Sequence, residues 1–246
     1  MKKKMFCLPY AGASARVYLQ WKKYLNNDIE IIPLELAGRG SRFGEKAYES
    51  FDEMVDDVYY AFMNELVKDE GKSDYAIFGH SMGCWITYEL CKRIFKSCIK
   101  NPIHIIFSGN KPPYYKCKEK KIYDLPKEEF IQELLKIDKS AKKILEDEEF
   151  GDIFLRILRN DYYVIENYIC DKEKFIMNCD ISIFNGIDDD INNKELLAWT
   201  SCAKGSFNIY NFEGNHFFIN ESIKDVVDRI NKILCSNVKE EIIYGI

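Results

Sequence analysis

The sequence predicts an α/β protein in which helices cover a mostly parallel sheet and a helical insertion interrupts the chain. Short β-rich apolar runs alternate with amphipathic helix candidates, which is the pattern of a parallel sheet. With 246 residues, of which 47% are hydrophobic, the chain can bury a large core. The connection from Gly109 to Asp180 is more than twice as long as the roughly 30 residues that a crossover with one helix needs.

The predicted strands come at regular intervals, and we place them at 5–9, 30–34, 75–78, 103–107, 181–184 and 207–212. Between them the apolar residues recur with a helical period, which predicts helices at 15–25, 51–68, 82–99, 194–203 and 222–234. The long connection contains a helix start at Leu125-Pro126 and helical spacing through Ile169. We therefore predict a core made of 1–110 and 179–246, and a helical lid insertion, 111–178, over one end of the sheet.

Charge and hydropathy exclude several classes of protein. The net charge of −5 and the pI of about 5.4 argue against a nucleic-acid binder, which would carry a basic surface. No apolar run approaches the roughly 18 residues of a transmembrane helix. Lys2 to Lys4 followed by an apolar stretch imitate a secretory signal, but Pro9 interrupts that stretch too early. We expect a cytoplasmic protein with no membrane partner.

The segment Gly79-His80-Ser81-Met82-Gly83 is a GxSxG motif between a predicted strand and a predicted helix. In that context it is typical of a nucleophile elbow, a tight turn whose glycines avoid collisions with neighbouring backbone so that the serine projects from the sheet. The alternative is a glycine-rich turn with a capping serine. The flanking strand and helix favour the nucleophile.

A serine nucleophile needs a base, and the chain has only three histidines. His80 lies inside the elbow, and its side chain should diverge from that of Ser81. His104 lies within a predicted strand, where a structural role is expected. His216 directly follows the last predicted strand, in a loop from which it can reach the strand ends. We assign His216 as the base.

The acid that orients the base should lie between Ser81 and His216 in the sequence, because hydrolases with a nucleophile elbow have the chain order serine, acid, histidine. Asp188, Asp189 and Asp190 follow the strand predicted at 181–184. Runs of aspartate are usually solvated turns, but the position of this run favours one of the three as the acid. The oxyanion needs two backbone donors, namely the N–H of Met82 and one from the loop 9–14 after the first strand.

Seven segments together resemble the type II thioesterases of nonribosomal peptide and polyketide synthesis. The match runs over nearly the whole chain, and the motifs most specific to this family are the Pro-Tyr-Ala-Gly and Gly-Arg-Gly segments. The segments are Phe6 to Gly12, Gly38 to Arg42, Phe78 to Gly83, Leu125-Pro126 before Phe130, Leu158 to Tyr162, Phe184 to Asp189 and Gly214 to Phe218.

The resemblance implies an α/β-hydrolase fold with a helical lid and a thioester hydrolase that removes acyl or aminoacyl groups from the phosphopantetheine arm of carrier proteins. It places the acid at Asp189, with Asp188 as the alternative, and the oxyanion donors at the backbone N–H groups of Ala11 and Met82. Ala13 stands where the family often has a second glycine, which would stiffen the oxyanion loop.

Two further segments allow two readings each. Gly38-Arg39-Gly40 is either a loop beside the active site or a turn in which Arg39 is paired structurally, and we favour the turn. The segment 111–121 holds five lysines against Glu119, a local charge of +4. It is either a solvated loop or a docking site for an acidic carrier protein, with contacts from Lys116, Lys118, Lys120 and Lys121.

No cofactor and no metal are expected, because the three histidines are far apart and the chain has no CxxC pair. We expect the protein to act as a monomer. Two alternatives to a carrier-protein thioesterase stay open on the sequence: a general carboxylesterase or lipase on the same fold, and a carrier-protein binding module without catalysis.

Overall fold

The computed structural model describes residues 2–115, 121–138, 141–147, 149–171 and 173–235. Its centre is a six-stranded, entirely parallel sheet with the order β2-β1-β3-β4-β5-β6. All six predicted strands are present, with ends shifted by up to two residues. Their bounds are β1 Lys3–Leu8, β2 Ile29–Pro33, β3 Tyr75–His80, β4 His104–Ser108, β5 Asp180–Gly186 and β6 Phe207–Phe212.

Both faces of the sheet are buried, as a parallel sheet requires. Along β1, Phe6 and Leu8 point into one hydrophobic cluster and Met5 and Cys7 into the other. Because side chains alternate across a strand, an unbroken apolar run supplies both cores at once. The predicted α/β architecture is confirmed.

Helices cover the two faces. Helices α1 (Phe51–Val67) and α2 (Met82–Lys96) pack on the face of Phe6, and the last long helix, α8 (Ile223–Cys235), packs on the opposite face. Ser50 begins α1 by accepting a hydrogen bond from the Glu53 N–H, as an N-cap does. The α-helices are α1 Phe51–Val67, α2 Met82–Lys96, α3 Lys127–Ile137, α4 Lys142–Leu145, α5 Phe150–Asn167, α6 Asn193–Leu197, α7 Phe218–Glu221 and α8 Ile223–Cys235.

The first predicted helix differs in type. Ala15–Lys23 is a 3-10 helix of nine residues, and its buried residues are Ala15, Tyr18 and Trp21. These lie three residues apart, so a helix with three residues per turn turns all of them to the sheet. The helix predicted at 194–203 is likewise divided, into α6 and a 3-10 helix at Ala198–Cys202.

In its described part, the long connection between β4 and β5 has a short 3-10 helix at Pro113–Tyr115, followed by the α-helices α3, α4 and α5. They enclose a small hydrophobic cluster of their own, formed by Ile122, Phe130, Leu134, Leu155 and Leu158. Helix α5 also packs against the main core through Val164. No helix in the described part of the chain is long and apolar enough to cross a membrane.

Candidate active site

Ser81 occupies a strained turn between β3 and α2. Its φ of 53° and ψ of −115° lie where a residue with a side chain is rarely found. A Cβ on Gly79 would lie 2.2 Å from the Gly83 carbonyl oxygen, and a Cβ on Gly83 would lie 2.4 Å from the Leu8 carbonyl oxygen. Glycine is therefore required on both sides of Ser81, because the turn presses α2 against the backbone of β1.

Three side chains distant in sequence meet at the carboxyl end of the sheet. Ser81 Oγ lies 3.0 Å from His216 Nε2, and His216 Nδ1 lies 2.8 Å from Asp189 Oδ2. The side chain of Asp189 is 6% exposed and that of His216 is 17% exposed. With the proton on Nδ1, His216 can accept the Ser81 proton at Nε2 while Asp189 stabilises the resulting imidazolium.

Asp188 and Asp190 are exposed, and of the three aspartates Asp189 is the one that hydrogen-bonds to His216. A backbone hydrogen bond joins the loop after β5 to the loop after β6, which carries His216: the Asp188 N–H donates to the Gly214 carbonyl. A Cβ on Gly186 would lie 2.3 Å from the Asn215 carbonyl oxygen. The loop after β5 is thus packed directly on the loop that carries His216, and this packing sets the position of Asp189.

The amides of Ala11 and Met82 lie beside the serine. Met82 begins α2, where the first N–H groups have no acceptor within the helix. Ala11 lies in the turn after β1, closed by a 3.1 Å hydrogen bond from the Ala13 N–H to the Tyr10 carbonyl. Both residues line the trough that contains Ser81. Neither amide donates to a described protein acceptor, so both can bind a developing oxyanion.

His80 packs directly against the site, although the sequence predicts only that it diverges from Ser81. Its ring centroid lies 5.1 Å from that of His216, and its Nδ1 lies 2.9 Å from Ser108 Oγ. Complete burial and the neighbouring His216 hold the pKa of His80 well below its usual value. His80 is therefore neutral and adds no charge beside His216.

His104 lies away from these residues, inside β4. Its Nε2 is 2.8 Å from Ser182 Oγ on β5, and burial lowers its pKa to about 4. The expected structural role agrees with this position. Asn110, which belongs to none of the sequence motifs above, donates a 3.0 Å hydrogen bond from Nδ2 to the Ser81 carbonyl. Its position just after β4 is the signal that could have identified it.

Two adjoining spaces open at Ser81. The first is a tight, mainly apolar pocket of about 60 Å³ beneath α3 and α5. Besides Ser81 and His216, its lining residues are Tyr10, Ala11, Leu134, Ile137, Asp138, Ala141, Phe154, Leu158, Tyr162 and Phe217. The second is a wider polar trough of about 890 Å³ whose walls include Trp85, Asn110, Lys111, Asp190 and Glu195. Ser81 and His216 line both spaces.

Of the lysines predicted to dock a carrier protein, Lys116, Lys118 and Lys120 lie outside the described residues. Lys121 is exposed, and its Nζ donates to Asn167 Oδ1 at 2.6 Å. Lys111 lies in the wall of the trough in an ion pair with Glu195 at 3.2 Å. In the parts of the chain that are described, no group of three or more His, Cys, Asp or Glu side chains is arranged to hold a metal ion.

Comparison with known proteins gives a family match over most of the chain. The family model described as thioesterase domain matches residues 3–234. The gramicidin S biosynthesis protein GrsT of Aneurinibacillus migulanus is 31% identical over 234 residues, which cover 95% of this chain and 89% of that protein.

Solved structures give the same result. ClbQ from the colibactin NRPS/PKS pathway superposes with a TM-score of 0.87 at 32% identity, covering 94% of this chain and 96% of that one. The type II thioesterase BorB from the borrelidin biosynthetic cluster superposes with a TM-score of 0.83 at 27% identity, covering 94% of this chain and 92% of that one.

Proposed function

The chain belongs to the thioesterase domain family of α/β-hydrolases, and from that membership we propose that it removes acyl or aminoacyl groups from the phosphopantetheine arm of carrier proteins. Its chemistry is hydrolysis of an acyl thioester. GrsT is named a gramicidin S biosynthesis protein, and BorB is named a type II thioesterase from the borrelidin biosynthetic cluster. Both resemble this chain over nearly their full lengths. The proposed role is that of an editing enzyme which clears stalled carriers.

We propose a Ser-His-Asp mechanism. Ser81 Oγ attacks the thioester carbonyl while His216 Nε2 takes its proton, and Asp189 holds the imidazolium. The amide N–H groups of Ala11 and Met82 bind the oxyanion. Collapse breaks the C–S bond, and His216 returns the proton to the departing sulfur. Water, deprotonated by His216, then attacks the acyl-serine. Collapse of this second intermediate breaks the bond between the acyl carbon and Ser81 Oγ, His216 returns the proton to Oγ, and the carboxylic acid leaves.

The two spaces at Ser81 suit the two ends of such a substrate. The apolar pocket is small, so it fits a short acyl chain as it stands, and a longer chain requires α3 to move outward. The trough is polar and wide, so it can take the amides and hydroxyl of a pantetheine arm beside Trp85, Asn110 and Lys111. In this arrangement the insertion 111–178 acts as a lid above the acyl group.

One observation carries the proposal: Asp189, His216 and Ser81 form a continuous hydrogen-bonded chain that ends between an apolar pocket and a polar trough. A binding module without catalysis has no need of that chain. A general esterase needs the triad and an acyl pocket, but no trough suited to a pantetheine arm.

The test compares the protein with its Ser81→Ala variant on three substrates that carry the same short acyl group: an acyl carrier protein, an acyl-pantetheine and a simple oxygen ester. We expect hydrolysis by the wild type alone, with kcat/KM highest for the carrier protein. A mass shift on Ser81 from a fluorophosphonate identifies the nucleophile. An oxygen ester hydrolysed as efficiently as the acyl carrier protein would favour a general esterase, and an unreactive Ser81 would favour a binding module.

We further propose that the lysines of 111–121 attract an acidic carrier protein to the trough of a net-negative enzyme. Salt should then lower kcat/KM for the carrier protein only, because the Debye length falls from roughly 10 Å at 0.1 M to 3 Å at 1 M. Replacing Lys116, Lys118, Lys120 and Lys121 by Glu should have the same effect. If salt and the Lys-to-Glu replacements lower kcat/KM for a small ester as much as for the carrier protein, docking at these lysines is contradicted.

The site that we assign is supplied by one chain, so we propose that a monomer is active, without nucleic-acid or membrane partners. The described part of the chain holds eight free cysteines, which suits the reducing cytoplasm.

A further inference from the structure

A buried ion pair joins the insertion to the loop after β2. Asp161 of α5 is fully buried, and its two carboxylate oxygens accept hydrogen bonds from Arg39 at 2.5 and 2.6 Å. The Arg39 side chain is 4% exposed. Because an unpaired charge is costly at such a depth, each partner fixes the other in place. The pair joins positions 122 residues apart in the sequence.

Asp161 has a second contact, and this one reaches the oxyanion loop. Its Oδ2 accepts the N–H of Gly12 at 2.7 Å, and Gly12 directly follows Ala11, whose own N–H we assign to the oxyanion. Gly12 has a φ of 79°, and a Cβ there would lie 2.7 Å from Leu158 Cδ2. The backbone of this loop therefore lies in direct contact with α5 as well as being hydrogen-bonded to it.

We propose that Asp161 is a positioning residue that fixes the Ala11 amide for oxyanion binding by holding the next amide, that of Gly12, and that Arg39 fixes the Asp161 carboxylate. This inference rests on the proposed function. Asp161 Oδ2 accepts from both Arg39 and Gly12, while Oδ1 accepts a second bond from Arg39. The carboxylate therefore has little freedom to rotate, and its fixed oxygen fixes the backbone of the loop at Gly12.

The remaining contacts of α5 agree with a fixed support. Tyr168, just after α5, donates to Glu89 Oε1 at 2.6 Å and stacks on Phe51 with ring centroids 4.2 Å apart. Asn160 donates to the Tyr48 carbonyl at 2.9 Å. Helix α3 meets α5 through an exposed ion pair of Lys127 with Asp152 at 2.6 Å and through the apolar cluster formed by Ile122, Phe130, Leu134, Leu155 and Leu158. Movement of the insertion to admit substrate therefore belongs to α3, since movement of α5 would carry the oxyanion loop with it.

The test uses two matched double variants that both remove the buried cation. The first, Arg39→Met/Asp161→Asn, keeps an oxygen that can accept the Gly12 N–H. The second, Arg39→Met/Asp161→Leu, has a similar shape and no acceptor. We measure kcat and KM for a short acyl-pantetheine, and Ki for a trifluoromethyl ketone whose serine adduct carries an oxyanion. Assays are run well below the unfolding midpoint of both variants.

We expect kcat of Arg39→Met/Asp161→Leu to be lower than that of Arg39→Met/Asp161→Asn by about 10-fold to 100-fold, because a small displacement of an oxyanion donor costs rates of this order. KM should differ less than about twofold, and Ki should weaken in parallel with kcat. A residue that only stabilises the fold would lower the unfolding midpoint of one variant and leave the Ki values equal.

Equal kcat and equal Ki in the two double variants would overturn the positioning role. If Arg39→Met/Asp161→Leu does not fold, Arg39→Met/Asp161→Val replaces it, since valine is closer to aspartate in volume and also lacks an acceptor. Failure of the proposed function is a separate result: it appears as absent wild-type thioester hydrolysis, whereas the positioning role is read from the ratio between the variants.

Discussion

Replacing Asp189 by Asn should nearly abolish hydrolysis while leaving the fold intact. The side chain keeps its shape, but the carboxylate that faces His216 Nδ1 at 2.8 Å becomes a neutral amide. If the amide NH2 faces Nδ1, the imidazole must carry its proton on Nε2. Nε2 then cannot accept the proton of Ser81 Oγ, which lies 3.0 Å away.

The magnitude follows from the charge that is lost. An imidazolium and a carboxylate whose charge centres are about 4 Å apart attract by about 4 kcal/mol at an effective dielectric constant of about 20. At about 1.4 kcal/mol for each tenfold change in rate, this corresponds to a loss of about 10³. The wrong tautomer adds to it, so we expect kcat to fall by about 10³ to 10⁴, in the range of triad acids elsewhere.

The assay is kcat for a short acyl thioester, with the unfolding midpoint measured alongside. Asp188→Asn and Asp190→Asn are the matched controls, because both aspartates are neighbours of Asp189 that reach solvent, and each should cost less than about threefold. A loss of less than tenfold in Asp189→Asn, or a larger loss in Asp188→Asn, would refute the assignment of the acid.

Ser81→Ala should lower kcat by about 10⁴ or more with an unchanged unfolding midpoint, and retention of a tenth of the activity would contradict the nucleophile. Burial lowers the pKa of His104 from 6.5 to about 4. Between these two pH values the imidazole binds a proton in the unfolded chain but not in the folded one, so acid favours unfolding. Through this group alone, the free energy of unfolding should fall by about 2 kcal/mol from pH 7 to pH 5. His104→Gln should remove that part of the fall in urea unfolding experiments, and identical pH slopes would contradict it. Gly12→Ala should lower the free energy of unfolding by about 1 to 3 kcal/mol, because its φ of 79° and the nearby Leu158 both disfavour a side chain. An unchanged thermal midpoint would show that the loop adapts.

Local patterns predicted much of this molecule. The inner strands could be predicted because a parallel sheet buries both faces and therefore favours near-continuous apolar runs. The edge strands β2 and β6 are only partly buried and include polar residues, but their apolar residues still indicated a strand. The elbow at Ser81 could be predicted because its chemistry is confined to five consecutive residues with required glycines. His216 followed by elimination, since the chain has only three histidines.

Features that depend on distant residues could not be predicted in this way. The three neighbouring aspartates are equivalent in sequence, and the folded packing of their loop on the His216 loop, including Gly186 on Asn215, places Asp189 against His216. The pair of Arg39 with Asp161 spans 122 positions and leaves no local pattern. The type of the helix at Ala15–Lys23 depends on which of its residues face the sheet. Its buried residues are three apart, as in a 3-10 helix, whereas the apolar residues of an α-helix alternate between spacings of three and four.

The hydrogen bond from Gly12 to Asp161 limits how this enzyme can be recombined with its relatives. A chimera that exchanges only α3 and α4 for those of another thioesterase alters the roof of the acyl pocket and retains the ion pair with its loop. A chimera that exchanges the whole segment between β4 and β5 separates Asp161 from Arg39 and Gly12, which lie in the N-terminal third of the chain. Grafts designed to change acyl preference should therefore begin after Pro126 and end before Phe150.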